Sequence, residues 1–329
     1  YITIIALASA VIFIYFFSVS LTRPVSRLME AVKYIQGGRF NVEVPATTRD
    51  EIGRLSSSFT EMAKGLAERE KMKDAFGRFV NKEIADLVLR DEVKLGGERK
   101  EVAVFFSDIR SFTAMSERME PEEVVGFLNA YMSRMVGCVN STLGVVDKFI
   151  GDSIMAVWGA PLSHGNDTER AIDAALMMRQ ALIEFNRGRG GTRGPVIHIG
   201  IGINTGPVLA GQIGTEERME YTVIGDTVNL ASRIEALNKP FGTDILISAG
   251  AYEKVRHSFI FEPMRRITVK GKSDPIRIYA VIGRRDDPSG PKNLEDVRML
   301  TGIRPPEKDL LSGDDSVYEE KELKYEIIE

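Results

Sequence analysis

The chain has 329 residues, with hydrophobic residues at 43% and charged ones at 27%; that is room for about two domains in the proportions of a folded protein. One cysteine, Cys138, excludes an intramolecular disulfide framework, and His164, His198 and His257 are too scattered for a zinc-ligand spacing. The net charge of −4 conceals an asymmetry, because residues 285–329 hold 13 acids and 7 bases and leave the remainder at +2; no basic tract interleaved with aromatics points to nucleic acid.

Residues Tyr1 to Leu21 carry no charge and are apolar almost throughout, enough for a helix that spans a bilayer. The stretch lacks an initiating methionine and a basic leading segment, so a secretory signal peptide is disfavoured and a sensor region upstream is expected. Arg23, Arg27 and Lys33 follow, and the positive-inside tendency then puts all downstream residues on the cytoplasmic side of a cell membrane.

Two amphipathic helices come next. Val25, Leu28, Val32 and Ile35 form one apolar stripe, which Gly37-Gly38 ends. Phe40 to Pro45 alternates as an extended connector. Asp50 is the expected N-cap of the second helix, whose stripe is Ile52, Leu55, Phe59, Met62 and Leu66. Heptad-like stripes on short helices need partners, most simply a parallel coiled-coil bundle. Pro24 after an apolar helix, followed by helix, connector and Asp50-Glu51-Ile52-Gly53, resembles a HAMP signalling domain over residues 22–70. That resemblance implies a dimeric four-helix bundle that passes a small motion from membrane to effector. Residues 71–99 read as a charged helical transducer, broken by Gly96-Gly97.

The effector follows over residues 100–284. Strand Val102 to Phe106 leads through Ser107 to Asp108. A helix is expected from Pro121 to about Leu143. Val145 to Trp158 reads as two apolar strands joined by a Gly151-Asp152 turn. A helix over about Thr168–Phe185 and a strand over Val196–Ile203 complete a βαββαβ order, the α+β, ferredoxin-like core. Further strands are expected at Tyr221–Ile224, Asp244–Ser248, Ile267–Val269 and Ile276–Ile282, with a helix over Thr227–Leu237. Beyond Arg284 periodicity is lost and a disordered acidic tail, residues 285–329, is expected. Asp108 and Asp152 would converge if their strands are neighbours, and a divalent cation would relieve their repulsion. On these residues alone, two turn-forming aspartates on a solvated edge fit as well.

Three motifs in order favour the first reading: Phe105-Phe106-Ser107-Asp108-Ile109-Arg110-Ser111-Phe112-Thr113, Lys148-Phe149-Ile150-Gly151-Asp152, and Tyr221-Thr222-Val223-Ile224-Gly225-Asp226-Thr227-Val228-Asn229-Leu230-Ala231-Ser232-Arg233. Together they resemble the catalytic domain of class III nucleotidyl cyclases. The resemblance implies that Asp108, Asp152 and the Ile109 carbonyl bind two divalent ions, Mg²⁺ or Mn²⁺; the backbone amides from Ile109 to Thr113, Phe112 and Thr113 included, lie at a turn suited to triphosphate oxygens. The resemblance further implies that Asn229 orients the ribose, that Arg233 stabilises the transferring phosphoryl group, and that Lys270, with Lys272 as competitor, holds the triphosphate; Asp226 is given a structural role. Lys148 occupies the family's base-reading lysine position. Its partner position holds Thr222, where many adenylyl cyclases have Asp and guanylyl cyclases pair Glu with Cys. Lys148 can donate to adenine N1 and Thr222 can accept from the adenine amino group. The pair resembles the Thr-bearing subgroup, some members of which respond to bicarbonate. In the family one protomer supplies the metal aspartates and the other the base pair, Asn and Arg, which implies a homodimer with two shared sites. The expected activity is conversion of ATP to 3′,5′-cyclic AMP and pyrophosphate at a membrane. The alternatives are the same fold acting on GTP and a catalytically silent nucleotide-binding module; a chemoreceptor-like scaffold would need a long glutamate-rich hairpin, which the chain lacks.

Overall fold

The computed structural model describes residues 1–79, 84, 97–190, 194–215, 219–269, 275–305 and 325–327. They fall into two compact units, Tyr1–Ala85 and Asp86–Glu329.

In the first unit, helix α1 spans Ile2–Phe17, a π-helical segment spans Ser18–Thr22, and α2 follows over Arg23–Gln36. No helix among the described residues is long and apolar enough to cross a membrane. Of the span expected over 1–21, Ile2–Phe17 is α-helical and the π-helical segment continues it. Helix α3 covers Glu51–Phe79, and Asp50 caps it: its Oδ1 accepts from the amides of Ile52 and Gly53, each at 3.1 Å. Gly53 is required here, because a Cβ would lie 1.8 Å from the Thr48 carbonyl oxygen. The connector docks on α3 through Thr60, whose hydroxyl accepts from the Val44 amide at 3.1 Å. Leu28, Ala31 and Val44 bury together, with Val42 and Phe59 against them. By contrast Val25, Val32, Leu55 and Met62 of the two expected stripes stay exposed.

The second unit is built on an eight-stranded mixed sheet among the described residues. Strand β1 (Glu98–Ile109) is followed by α4 (Phe112–Ser116) and α5 (Pro121–Ser141), then by β2 (Val145–Ile150), β3 (Ser153–Trp158), α6 (Asp167–Asn186) and β4 (Ile199–Gly214). Their order β2-β3-β1-β4, all antiparallel, is the ferredoxin-like arrangement the sequence order implied. Along β1, Ala103 and Phe105 pack with Trp158, Tyr131, Ile172 and Met178 beneath α5 and α6. Val102 and Val104 pack on the opposite face with Val157, Val208 and Ala231. Burial on both faces explains the unbroken apolar run. Helix α5 begins with Pro121 and a reciprocal capping box between Glu120 and Glu123.

The remaining elements are β5 (Met219–Ile224), which pairs with the end of β4, α7 (Asp226–Ala236), α8 (Asn238–Phe241), β6 (Ile245–Ser248), α9 (Ala249–Val255), β7 (Phe259–Pro263), β8 (Ile267–Val269) and β9 (Ile278–Arg284). Three corrections follow. Strand β4 runs eleven residues past the expected Ile203, to Gly214, through Gly206 and Pro207. The loop after α9 contains β7, paired with β9. Part of the tail expected to be disordered is folded: α10 (Leu294–Thr301) buries Val297, Arg298 donates to the carbonyls of Phe241 and Gly242, and β10 (Tyr325–Ile327) pairs with β8. Of the expected 71–99 transducer, residues 80–83 and 85–96 lie outside the described residues.

Candidate active site

Asp108 ends β1 beside β3, and Asp152 occupies the turn between β2 and β3. The two strands are neighbours, so the carboxylates converge. The Ile109 amide donates to Asp152 Oδ2 at 3.1 Å, and the Ser153 hydroxyl donates to Asp108 Oδ1 at 2.5 Å. Burial, and then the charge of Asp108, raises Asp152 to about 6. Two adjacent carboxylates whose repulsion is unrelieved have the chemistry of a hard divalent cation's ligands. Glu235, on α7, was not found from sequence. Burial raises it to about 8, with the charges of Asp108 and Asp152 adding to the rise and Arg110 opposing it.

Helix α7 lies against β4 because Gly200 and Gly202 carry no side chain. A Cβ on Gly202 would meet the Glu235 amide nitrogen at 2.2 Å and the Ala231 carbonyl at 2.4 Å, both backbone atoms. Gly202→Ala is therefore expected to destabilise the fold by about 1–3 kcal/mol, read as a lower urea midpoint; an unchanged midpoint would show that α7 can lift without cost. Asn229 and Arg233 lie on this helix, four residues apart and so on one face. Neither side chain has a hydrogen-bond or ion-pair partner among the described residues.

Lys148 and Thr222 are brought together by a residue sequence reasoning passed over, Asp147. The Thr222 hydroxyl donates to both Asp147 oxygens, at 2.9 and 2.8 Å, and the Val223 amide donates at 3.3 Å. The Lys148 ammonium lies 3.3 Å from Asp147 and 3.5 Å from Glu220. Burial raises Asp147, and its partners Thr222 and Lys148 hold that rise in check. The signal was available: an acid beside Lys148 in an otherwise apolar strand.

At the phosphate end, α4 is a single five-residue turn entered through a left-handed Ser111. Its first repeating bond runs from the Met115 amide to the Ser111 carbonyl, so the amides of Phe112 and Thr113 precede it. The Phe112 ring stacks on Phe127, 6.4 Å between centroids, and faces the core. Arg110 turns away from the carboxylates and donates to the carbonyls of Asn238 and Thr243. Lys270 and Lys272 lie outside the described residues. No cluster of three or more metal-ligating side chains occurs among the described residues.

Comparison with known proteins gives a consistent set of likenesses. The family model described as "Adenylate and Guanylate cyclase catalytic domain" matches residues 97–283, and the HAMP domain model matches residues 16–68. An adenylate cyclase of Anabaena cylindrica is 39% identical over 283 residues, which is 81% of this chain and 55% of that protein. The chain thus spans about half the length of the curated relatives it matches. The crystal structure of the guanylyl cyclase Cya2 is 36% identical, with a TM-score of 0.56, over 60% of this chain and all of that one. The adenylyl cyclase CyaB from P. aeruginosa is also 36% identical, with a TM-score of 0.53, over 59% of this chain and 99% of that one.

Proposed function

This chain belongs to the adenylate and guanylate cyclase catalytic-domain family and carries a HAMP domain, and from that premise we propose that it is an adenylate cyclase, converting ATP to 3′,5′-cyclic AMP and pyrophosphate. The observation that carries the choice of ATP is the Lys148–Asp147–Thr222 cluster, which offers a donor and an acceptor where adenine presents an acceptor and a donor. Asp108 and Asp152 fit two divalent ions, with the Ile109 carbonyl as a further oxygen. When bound, such ions acidify the ribose 3′-hydroxyl and neutralise the triphosphate. Asn229 then orients the ribose, Arg233 stabilises charge on the phosphoryl group in transit, and the amides of Phe112 and Thr113, with Lys270, hold the triphosphate. The guanylate cyclase alternative is supported by likeness to solved guanylyl cyclases, Cya2 among them at 36% identity, a figure matched by the adenylyl cyclase CyaB. The test is product analysis with the full chain, ATP, and Mg²⁺ or Mn²⁺; a dimeric sample that forms no cyclic nucleotide overturns the enzyme reading.

The cation assignment has a consequence in pH. Asp152, at about 6 when folded, ionises near 3.8 when unfolded. Between those values the folded chain holds a proton that the unfolded chain has released, so stability without metal falls as pH rises through the window. A cation needs the ionised carboxylate. Mn²⁺ is expected to raise the melting temperature clearly at about pH 7.5 and little at about pH 5, and Asp152→Asn is expected to remove the increment. Equal shifts in every case would exclude a carboxylate-held ion.

The proposal includes a homodimer with two shared sites, attached to a membrane through residues 1–21 with the HAMP and cyclase units cytoplasmic. The exposed stripe Val25, Val32, Leu55 and Met62 supports a second helix pair packed against the first. The uncharged helix α1 and the basic residues Arg23, Arg27 and Lys33 support the attachment. Membership of the Thr-bearing, bicarbonate-responsive subgroup rests on Thr222 alone.

A further inference from the structure

The pairing of β2 with β3 slips between Val146 and Lys148, which leaves Asp147 as the extra residue of a β-bulge. A bulge takes its residue out of the inward–outward alternation and can re-aim a side chain. Here it directs a carboxylate that is only 5% exposed onto β5. Thr222, itself buried, sits against both oxygens of that carboxylate. An ionised carboxylate has no proton to give, so the single hydroxyl proton of Thr222 is committed to Asp147. What Thr222 Oγ1 has left is lone pairs. Lys148 has three protons, and the two carboxylates of Asp147 and Glu220 lie in reach of its ammonium, which leaves donors only for a base.

The two purines differ in polarity at this edge. Adenine donates from its 6-amino group and accepts at N1; guanine accepts at O6 and donates from N1. A threonine free to rotate could serve either base. A threonine whose proton is taken can serve only a donor. We infer that Asp147 is a specificity-determining positioning residue: by taking the Thr222 proton and anchoring Lys148, it fixes the pair as an acceptor and a donor complementary to adenine and opposed to guanine. The inference deepens the proposed function and rests on it.

The test uses the full chain and kcat/KM for ATP, GTP and purine riboside 5′-triphosphate, which lacks the 6-amino group. The wild type is expected to favour ATP over GTP, and to favour it over the purine analogue by about tenfold, the size of one hydrogen bond. In Asp147→Asn the amide can donate to Thr222, and the hydroxyl proton is released toward the base. The ATP:GTP ratio is expected to fall at least about tenfold, mostly through KM, and the ATP:purine ratio to approach one. Thr222→Val should show the same collapse of the purine ratio, with Asp147→Asn adding nothing to it. A wild type that favours ATP, with both ratios kept in a folded Asp147→Asn, overturns the inference alone. A wild type that favours GTP, or makes no cyclic product, overturns the proposed function and the inference with it. Should Asp147→Asn not fold, the wild type and Thr222→Val decide: equal use of ATP and purine triphosphate by the wild type, or discrimination retained without the hydroxyl, overturns the inference.

Discussion

Asp108→Ala and Arg233→Ala are each expected to lower cyclase turnover by about 10³-fold or more, and a mixture of the two chains to recover about a quarter of wild-type activity. The losses follow from removing a cation ligand and a group that stabilises charge in the transition state. The recovery follows from the proposed shared site. Glu235 on α7 shares the electrostatic field of Asp108 and Asp152. Residues two apart on a helix project about 200° from each other, so Arg233, and Asn229 with it, leave α7 on a different side from Glu235. In the proposed arrangement the two halves of each site come from different chains. In a symmetric dimer each site would take the carboxylates from one protomer and α7 from its partner. Half of the dimers in an equal mixture are heterodimers, each with one intact site of two. A verified heterodimer with no activity above either parent would contradict the shared site.

The second large effect is on stability. Arg179 on α6 is buried and holds Asp244 through two bonds, 2.6 and 2.9 Å, while donating to the carbonyls of Ile282 at 2.5 Å and Val281 at 2.7 Å. Both side chains are almost fully enclosed. Removing one partner leaves the other charge buried and unpaired, a cost of about 3–5 kcal/mol. Asp244→Ala is expected to lose that much in urea unfolding, and so is Arg179→Met. Arg179→Met combined with Asp244→Leu should lose much less than the sum, because no charge then remains to be desolvated. Additive losses would mean that the pair acts through packing rather than charge.

The core was legible where one rule decided it. The apolar run of β1, the Gly151-Asp152 turn and the Pro121 start each answer to local chemistry, and their order gave the ferredoxin-like sheet. Strand β4 passes the expected end at Ile203 and runs through Gly206 and Pro207, because pairing with β1 and then β5 carries it there. Helix α10 was missed because its order comes from distant partners: Arg298 reaches the carbonyls at the end of α8. In the site, Asp108, Asp152, Asn229 and Arg233 stood in recognisable motifs. Asp147 and Glu235 did not, since what matters about each is burial against groups far away in sequence. The apolar content of residues 1–21 was legible; the shift to a π-helical segment after Phe17 was not.

The proposed choice of ATP rests on a base-reading pair set for adenine. The most direct measurement is a competition, with the full wild-type chain given equal ATP and GTP in one vessel with Mn²⁺ and the two cyclic products resolved by chromatography. Cyclic AMP is expected in at least about tenfold excess; equal products, or cyclic GMP in excess, would contradict a pair set for adenine.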